Sequence, residues 1–250
     1  MPLDSRVYVA IVGTRKPTNY GAEITRQLAQ KLAERGVVIV SGLALGTDGI
    51  AHQGALAGKG TTIAVLAHGL DQINPRTNIQ IAEQMLRSGG ALIGEYDAGM
   101  QPYLGNFLER NRIVSGLSDA LIVTEAASRS GTFNTVSHAL EQGRDVYALP
   151  GPITSPMSRG CNQLIAQGAT PITDVDEFVD QIAPRLAEVI PTLAYSDAEQ
   201  IIIDLIKQGL RDGDELHAKS QLDAGSFAQT LTMLELRGAI RPLGANQWSL

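Results

Sequence analysis

The sequence predicts an α/β fold: a doubly wound, mostly parallel sheet with helices on both faces, followed by a small helical domain closed by a hairpin. Three observations carry this reading. Short apolar, β-branched runs alternate with amphipathic segments through the first two thirds of the 250-residue chain. The runs are continuously apolar rather than alternating, as strands buried on both faces must be. A stretch at 184–196 containing Pro184, Pro191 and Ser196 then separates this portion from a final segment of different pattern.

The elements follow in order. Val7 to Val12 reads as a buried strand that ends at Gly13. From Gly21 to Arg35, Ile24, Leu28 and Leu32 recur every four residues, a helical step, and Gly36 stops the helix before a strand at 37–40. The cycle continues with helix 47–58, strand 61–66, helix 76–88 and strand 91–94, then helix 106–116, strand 119–124, helix 132–142 and strand 145–148. A last α/β portion runs from 160 to 182. Right-handed crossovers bring the C-terminal ends of all these strands to one edge, where doubly wound sheets bind ligands. In the final segment, helices at 197–208, 213–221 and 225–237 precede a hairpin with its turn at Gly244–Asn246, which is winged-helix order. The expected domains are therefore a Rossmann-like 1–183, a linker 184–196 and a winged-helix-like 197–250.

Composition narrows the function. Apolar residues make up 44% and charged residues 18%, and mean hydropathy is +0.00. No run approaches the ~18 apolar residues of a membrane span, and the N-terminus lacks a signal peptide's layout. A lone Cys161 excludes an internal disulfide, and four histidines argue against a zinc cluster. The cytoplasm is the expected compartment, with no membrane partner, metal or organic cofactor. Net charge is −6, so any nucleic-acid binding has to come from a local basic pocket in an acidic envelope.

Four segments gather donors at the predicted edge. Gly13-Thr14-Arg15 follows the first strand; it is either a structural turn or a phosphate contact made by backbone N–H groups and the Arg15 fork. Ser41 to Asp48 leads into a helix that Thr47 or Asp48 can cap. Asp48 and His52, one turn apart, either pair or serve separately as a cap and a packed histidine. Phe107-Leu108-Glu109-Arg110-Asn111-Arg112 is the densest basic cluster, and its arginines diverge by about 200° on a helix, so one faces a pocket while the other turns elsewhere. Arg129-Ser130-Gly131-Thr132 places hydroxyls and amides at a helix start, an anion-binding arrangement that capping alone also explains. Neither a dinucleotide fingerprint nor a P-loop is present. No nucleophile is positioned for catalysis, so no catalytic residue is assigned. Together the four segments point to a phosphate-bearing ligand.

These blocks resemble the DprA/Smf family, the DNA-processing proteins of bacterial transformation. The resemblance rests on the text from Ala10 to Arg15, Ser41 to Asp48 with Ala51-His52, Phe107 to Ile113, Ser118-Asp119-Ala120, Glu125-Ala126, Ser130 to Thr132, Ala148 to Gly151 and Gly160 to Ala169. It runs from about residue 7 to 180, and the tail resembles the winged-helix domain of many members. The resemblance implies single-stranded DNA binding, loading of the RecA recombinase onto that strand, and a homodimer. Carried over by motif, the DNA-binding residues are Gly13, Thr14, Arg15, Phe107, Arg110, Asn111, Arg112, Arg129, Ser130, Gly131 and Thr132. Gly46-Thr47-Asp48 stands where members usually show glycine-isoleucine-aspartate, and Phe133 and Asn134 depart from the usual stretch after the serine-glycine pair.

Two other functions use the same edge. A LOG-like phosphoribohydrolase needs a glutamate where this sequence has Thr135, and threonine cannot supply the anion that steadies an oxocarbenium-like centre. A nucleotide-binding sensor would be indifferent to DNA length, whereas a strand binder is strongly salt-dependent. The tail from Tyr195 to Leu250 has eight acids against five bases, and its third helix offers Ser226, Gln229 and Thr232 rather than cations on its polar side. A duplex reader needs phosphate-seeking bases there, so the tail is expected to contact protein, either a partner or a second copy.

Overall fold

The computed structural model describes residues 6–183, 196–236, 239–244 and 246–249. The chain divides into two compact units, Met1–Leu186 and Ala187–Leu250. Of the expected linker only Ser196 is among the described residues, and Arg237 and Ala245 likewise fall outside them.

The first unit is built on seven strands: β1 (Tyr8–Val12), β2 (Val38–Ser41), β3 (Thr62–Val65), β4 (Ala91–Ile93), β5 (Ala120–Val123), β6 (Asp145–Ala148) and β7 (Thr170–Pro171). Every pairing is parallel, in the order β4-β3-β2-β1-β5-β6-β7. The order runs outward in both directions from β1, so the topological switch point lies between β1 and β5.

Alternation along the strands splits the core in two. Val9 and Ile11 of β1, Ile39 of β2 and Ile122 of β5 face α1 (Asn19–Glu34), α2 (Thr47–Ala57) and α7 (Val175–Ile182). Tyr8, Ala10 and Val12 turn the other way, toward α4 (Leu104–Gly116), α5 (Thr132–Glu141) and α6 (Arg159–Ala166). Both faces are covered, which is why β1, β4 and β5 are apolar throughout and the polar residues Ser41, Thr62, Asp145 and Thr170 stand only at strand ends. The helix expected at 76–88 is a 3-10 turn, Arg76–Asn78, followed by α3 (Ile79–Arg87). The break serves Asn78, whose buried amide donates to the Leu43 and Ala44 carbonyls after β2.

The α2 start differs from expectation. Gly46 occupies the N-cap position without a side-chain cap; the Thr47 hydroxyl instead donates to the Thr14 carbonyl at 3.1 Å, and the Asp48 carboxylate accepts from the Ala44 N–H at 3.2 Å. His52 does not pair with Asp48. Its Nδ1 meets the Thr62 hydroxyl at 2.7 Å, and that hydroxyl donates to the Ile39 carbonyl. Thr62 therefore accepts from Nδ1–H, and the buried Nε2 has no partner. Burial, seconded by the Arg110 guanidinium, pushes the His52 pKa down to about 3.

The second unit holds α8 (Asp197–Lys207), α9 (Gly213–Ser220) and α10 (Ala224–Leu236), then β8 (Arg241–Gly244) paired antiparallel with β9 (Gln247–Ser249). Ser196 and Glu199 form a reciprocal capping box at α8. Ile202, Ile206, Leu216, Phe227, Leu231 and Leu234 make its core. Three helices and a hairpin are the winged-helix arrangement foreseen from the sequence, and none of the described α10 side chains is cationic.

Two stability predictions follow from these contacts. Gly54 lets α2 lie on α1: a Cβ there would sit 2.7 Å from the Arg26 carbonyl and 2.8 Å from Ala29 Cβ. Gly54→Ala should lower unfolding stability by about 1–3 kcal/mol in urea titrations. The unfolded chain protonates His52 near pH 6.5, whereas the folded chain does so only near 3. Its contribution is therefore complete above pH 6.5 and lost as pH falls across that interval, at a limiting slope of about 1.4 kcal/mol per pH unit. The stability gap between parent and His52→Leu should shift by that slope between pH 6 and 4; a constant gap would mean that His52 protonates freely when folded.

Candidate functional site

A cleft of about 430 Å³ opens at the switch point. The loop after β1 forms its floor. Thr14 N–H donates to the Glu125 carbonyl at 2.8 Å, and Thr14 O accepts from both the N–H and the hydroxyl of Thr47. This clamp leaves no room for a side chain at Gly13, where a Cβ would come within 2.7 Å of the Thr47 hydroxyl and 2.9 Å of the Glu125 carbonyl. The buried Glu125 carboxylate accepts from the Thr18 N–H at 2.7 Å and the Thr18 hydroxyl at 2.6 Å, so it is spent on starting α1.

The cleft brings together Gly13, Thr14, Arg15, Phe107, Arg110, Asn111, Arg129, Ser130, Gly131 and Thr132. Arg112 is not among them. It leaves the opposite side of α4 and holds Glu95 with one terminal nitrogen at 2.5 Å from each carboxylate oxygen. The two-residue offset separates the arginines: Arg110 turns inward and Arg112 outward.

Arg110 is nevertheless not a free cation. It is 4% exposed, and its guanidinium donates to the Gly42 carbonyl at 2.8 Å and to the Val65 carbonyl, at the ends of β2 and β3. Burial lowers its pKa while Asp48 opposes the shift. Asp48, itself buried, has its pKa raised by desolvation and lowered in turn by Arg110 and its hydrogen bonds. Each charge offsets the other's burial, worth several kcal/mol per ion. Asn111 continues the chain: its Oδ1 accepts from Arg110 Nε at 3.3 Å, and its Nδ2 donates to Asn134 Oδ1 at 3.1 Å, joining α4 to α5.

The free positive charge lies at the rim. Arg15 and Arg129 are exposed, and among the described residues neither takes a carboxylate partner. Arg15 stands over the Phe107 ring, 5.3 Å from its centroid. Arg129 precedes the N-terminus of α5, where Gly131 is the N-cap without a side-chain cap, and the Ser130 hydroxyl accepts from Thr132 N–H while donating to its hydroxyl. The N–H groups of Thr132, Phe133 and Asn134 are taken by oxygens of Ser130 and Gly131, so α5 contributes the positive end of its dipole beside Arg129 rather than free amide donors.

Leu104, Leu108 and Met157 also line the cleft without having been assigned to it from the sequence, and so does Thr135, which the sequence had placed only against a hydrolase's glutamate. Leu104, Phe107 and Leu108 sit at i, i+3 and i+4, a signal visible in the sequence but shared with ordinary core stripes. Thr135 and Met157 carried no such signal. Asp48 is the only acidic side chain in the lining. Among the described residues no cluster of three or more His, Cys, Asp or Glu is placed to hold a metal, and no helix is long and apolar enough to cross a membrane.

Comparison with known proteins agrees with this architecture. The family profile of DNA recombination-mediator protein A matches residues 1–183, and that of the DprA winged helix domain matches 180–246. Protein Smf of Escherichia coli (strain K12) is 48% identical over 174 residues, covering 70% of this chain and 46% of its own length. DNA processing protein DprA of Bacillus subtilis (strain 168) is 41% identical over 177 residues, covering 71% and 59%. The chain thus spans about half the length of these relatives. The solved DNA processing protein A of Helicobacter pylori, described for its single-stranded DNA binding mode, is 36% identical with a TM-score of 0.67, over 72% of this chain and 82% of that one. With both family profiles matched and relatives above 40% identity, the chain belongs to the DNA recombination-mediator protein A family, the DprA/Smf DNA-processing proteins.

Proposed function

We propose that the cleft binds single-stranded DNA and that the protein, as a homodimer in the cytoplasm, passes the bound strand to a RecA recombinase. One observation carries the DNA reading: two exposed guanidinium groups without carboxylate partners flank one cleft, beside the N-terminus of α5, in a chain of net charge −6. Among the described residues other exposed cations, Lys16, Lys59, Arg76 and Arg159 among them, also lack a carboxylate partner; Arg15 and Arg129 differ in lining one cleft, where a single external anion meets both. The Helicobacter pylori relative's single-stranded DNA binding supports a polynucleotide as that anion. The family's description as a recombination mediator supports the transfer step.

The role is non-catalytic. Asp48, the sole acid of the lining, is held by the Ala44 N–H and matched by Arg110, and Thr135 stands where ribose hydrolysis needs a glutamate. The winged-helix unit, with no described cation on α10, serves protein contact rather than duplex reading.

The assignment separates two kinds of arginine. Arg15→Ala and Arg129→Ala should each weaken binding of an oligonucleotide with little sequence preference, lower the slope of log affinity against log salt by about 0.7, and leave the melting temperature unchanged. Unaltered titration curves for both variants would reject the pocket. Arg110→Ala should instead cost about 3–5 kcal/mol in chemical denaturation, because it strands the buried Asp48 carboxylate. An Arg110→Ala protein as stable as the parent would show that the arginine does not hold the strand ends together.

A further inference from the structure

The cleft has a second wall that its cations do not explain. Leu104, Phe107 and Leu108 project from one face of the first two turns of α4. Leu104 is 73% exposed and Leu108 43%, while the same helix sends Val114 into the core and packs Ile113 against it. Single exposed leucines need no explanation. This stripe is different because it lines the same hollow as Arg15, Arg129 and the Ser130–Thr132 helix start, with Phe107 as the hinge between the cation and the aliphatic side chains. A phosphate alone has no use for an apolar wall; a nucleobase presents an apolar face beside its phosphate.

We propose that Leu104 and Leu108 extend Phe107 into a wall that receives the faces of unpaired bases while Arg15 and Arg129 hold the phosphates. The inference rests on the reading of the cleft as a DNA site. It adds the origin of strand selectivity: in a duplex the base faces are covered by their neighbours, so only an unpaired strand reaches the leucines. It also divides the affinity into a salt-sensitive part on the guanidinium groups and a salt-insensitive part on the wall.

Anisotropy titrations of the full chain test this with two labelled probes of equal length, an oligothymidylate and an abasic deoxyribose-phosphate oligomer. The parent should bind the thymidylate about tenfold or more tightly than the abasic strand. Leu104→Ser/Leu108→Ser should lose about tenfold on the thymidylate, lose nothing on the abasic strand and keep the salt slope. The single variant Leu104→Ser should show part of the loss, with an unchanged melting temperature, since its side chain is largely outside the core. Equal binding of the two probes by the parent, or equal loss on both in the double variant, would overturn the wall. Arg15→Ala acts as the separate control: a loss on both probes upholds the cleft even if the wall fails. Binding of neither probe by the parent would overturn the cleft reading and the wall together.

Discussion

The buried guanidinium of Arg110 is the contact on which the site depends. It reaches from α4 to the carbonyls that end β2 and β3, beside the carboxylate of Asp48 at the start of α2. One side chain thereby joins the helix covering one face of the sheet to the strand ends, and its charge acts on an acid at the start of a helix on the other face. Arg110 thus anchors the helix that carries Phe107 and the leucines. Such a group is held in place rather than free to follow a ligand: its Nε and Nη1 donors are committed to Asn111, Gly42 and Val65, and withdrawing it would strand a desolvated acid.

This constraint explains how an acidic protein presents a cationic hollow. Inside, Asp48 is set against Arg110 and Glu125 is held by the Thr18 N–H and hydroxyl, and outside on α4 Arg112 is paired with Glu95. Within the cleft, the charge left without a carboxylate partner is that of Arg15 and Arg129, beside the start of α5. A small unscreened set of charges in a concave, partly desolvated place acts more strongly on a nearby anion than the same charges on an open surface. The overall negative sign then works against loose association elsewhere on the protein.

Much of this was legible in the sequence, for physical reasons that differ by element. The strands were readable because burial on both faces forces unbroken apolar runs, as in Tyr8–Val12 and Ala120–Val123. The sheet order then placed the four donor-rich segments together without any further signal. Failures arose where a tertiary contact decided the outcome. The 3-10 turn at Arg76–Asn78 answers to distant carbonyls after β2, and the start of α2 is held by Thr14 rather than by its own cap. Periodicity separated Arg110 from Arg112 but not which of them faced in, because that choice depends on where the β2 and β3 carbonyls end. Leu104 and Leu108 went unnoticed since a leucine stripe has the same spacing whether it meets a core or a ligand.

The central claim concerns a flexible polynucleotide rather than a small nucleotide, and one titration series reaches it most directly. Labelled single strand, the duplex of the same length and a mononucleotide are compared by fluorescence anisotropy at two ionic strengths. The account predicts that the single strand binds most tightly, that lengthening it improves binding, and that its affinity falls steeply with salt. A mononucleotide bound as tightly as the strand, with no dependence on length, would contradict it.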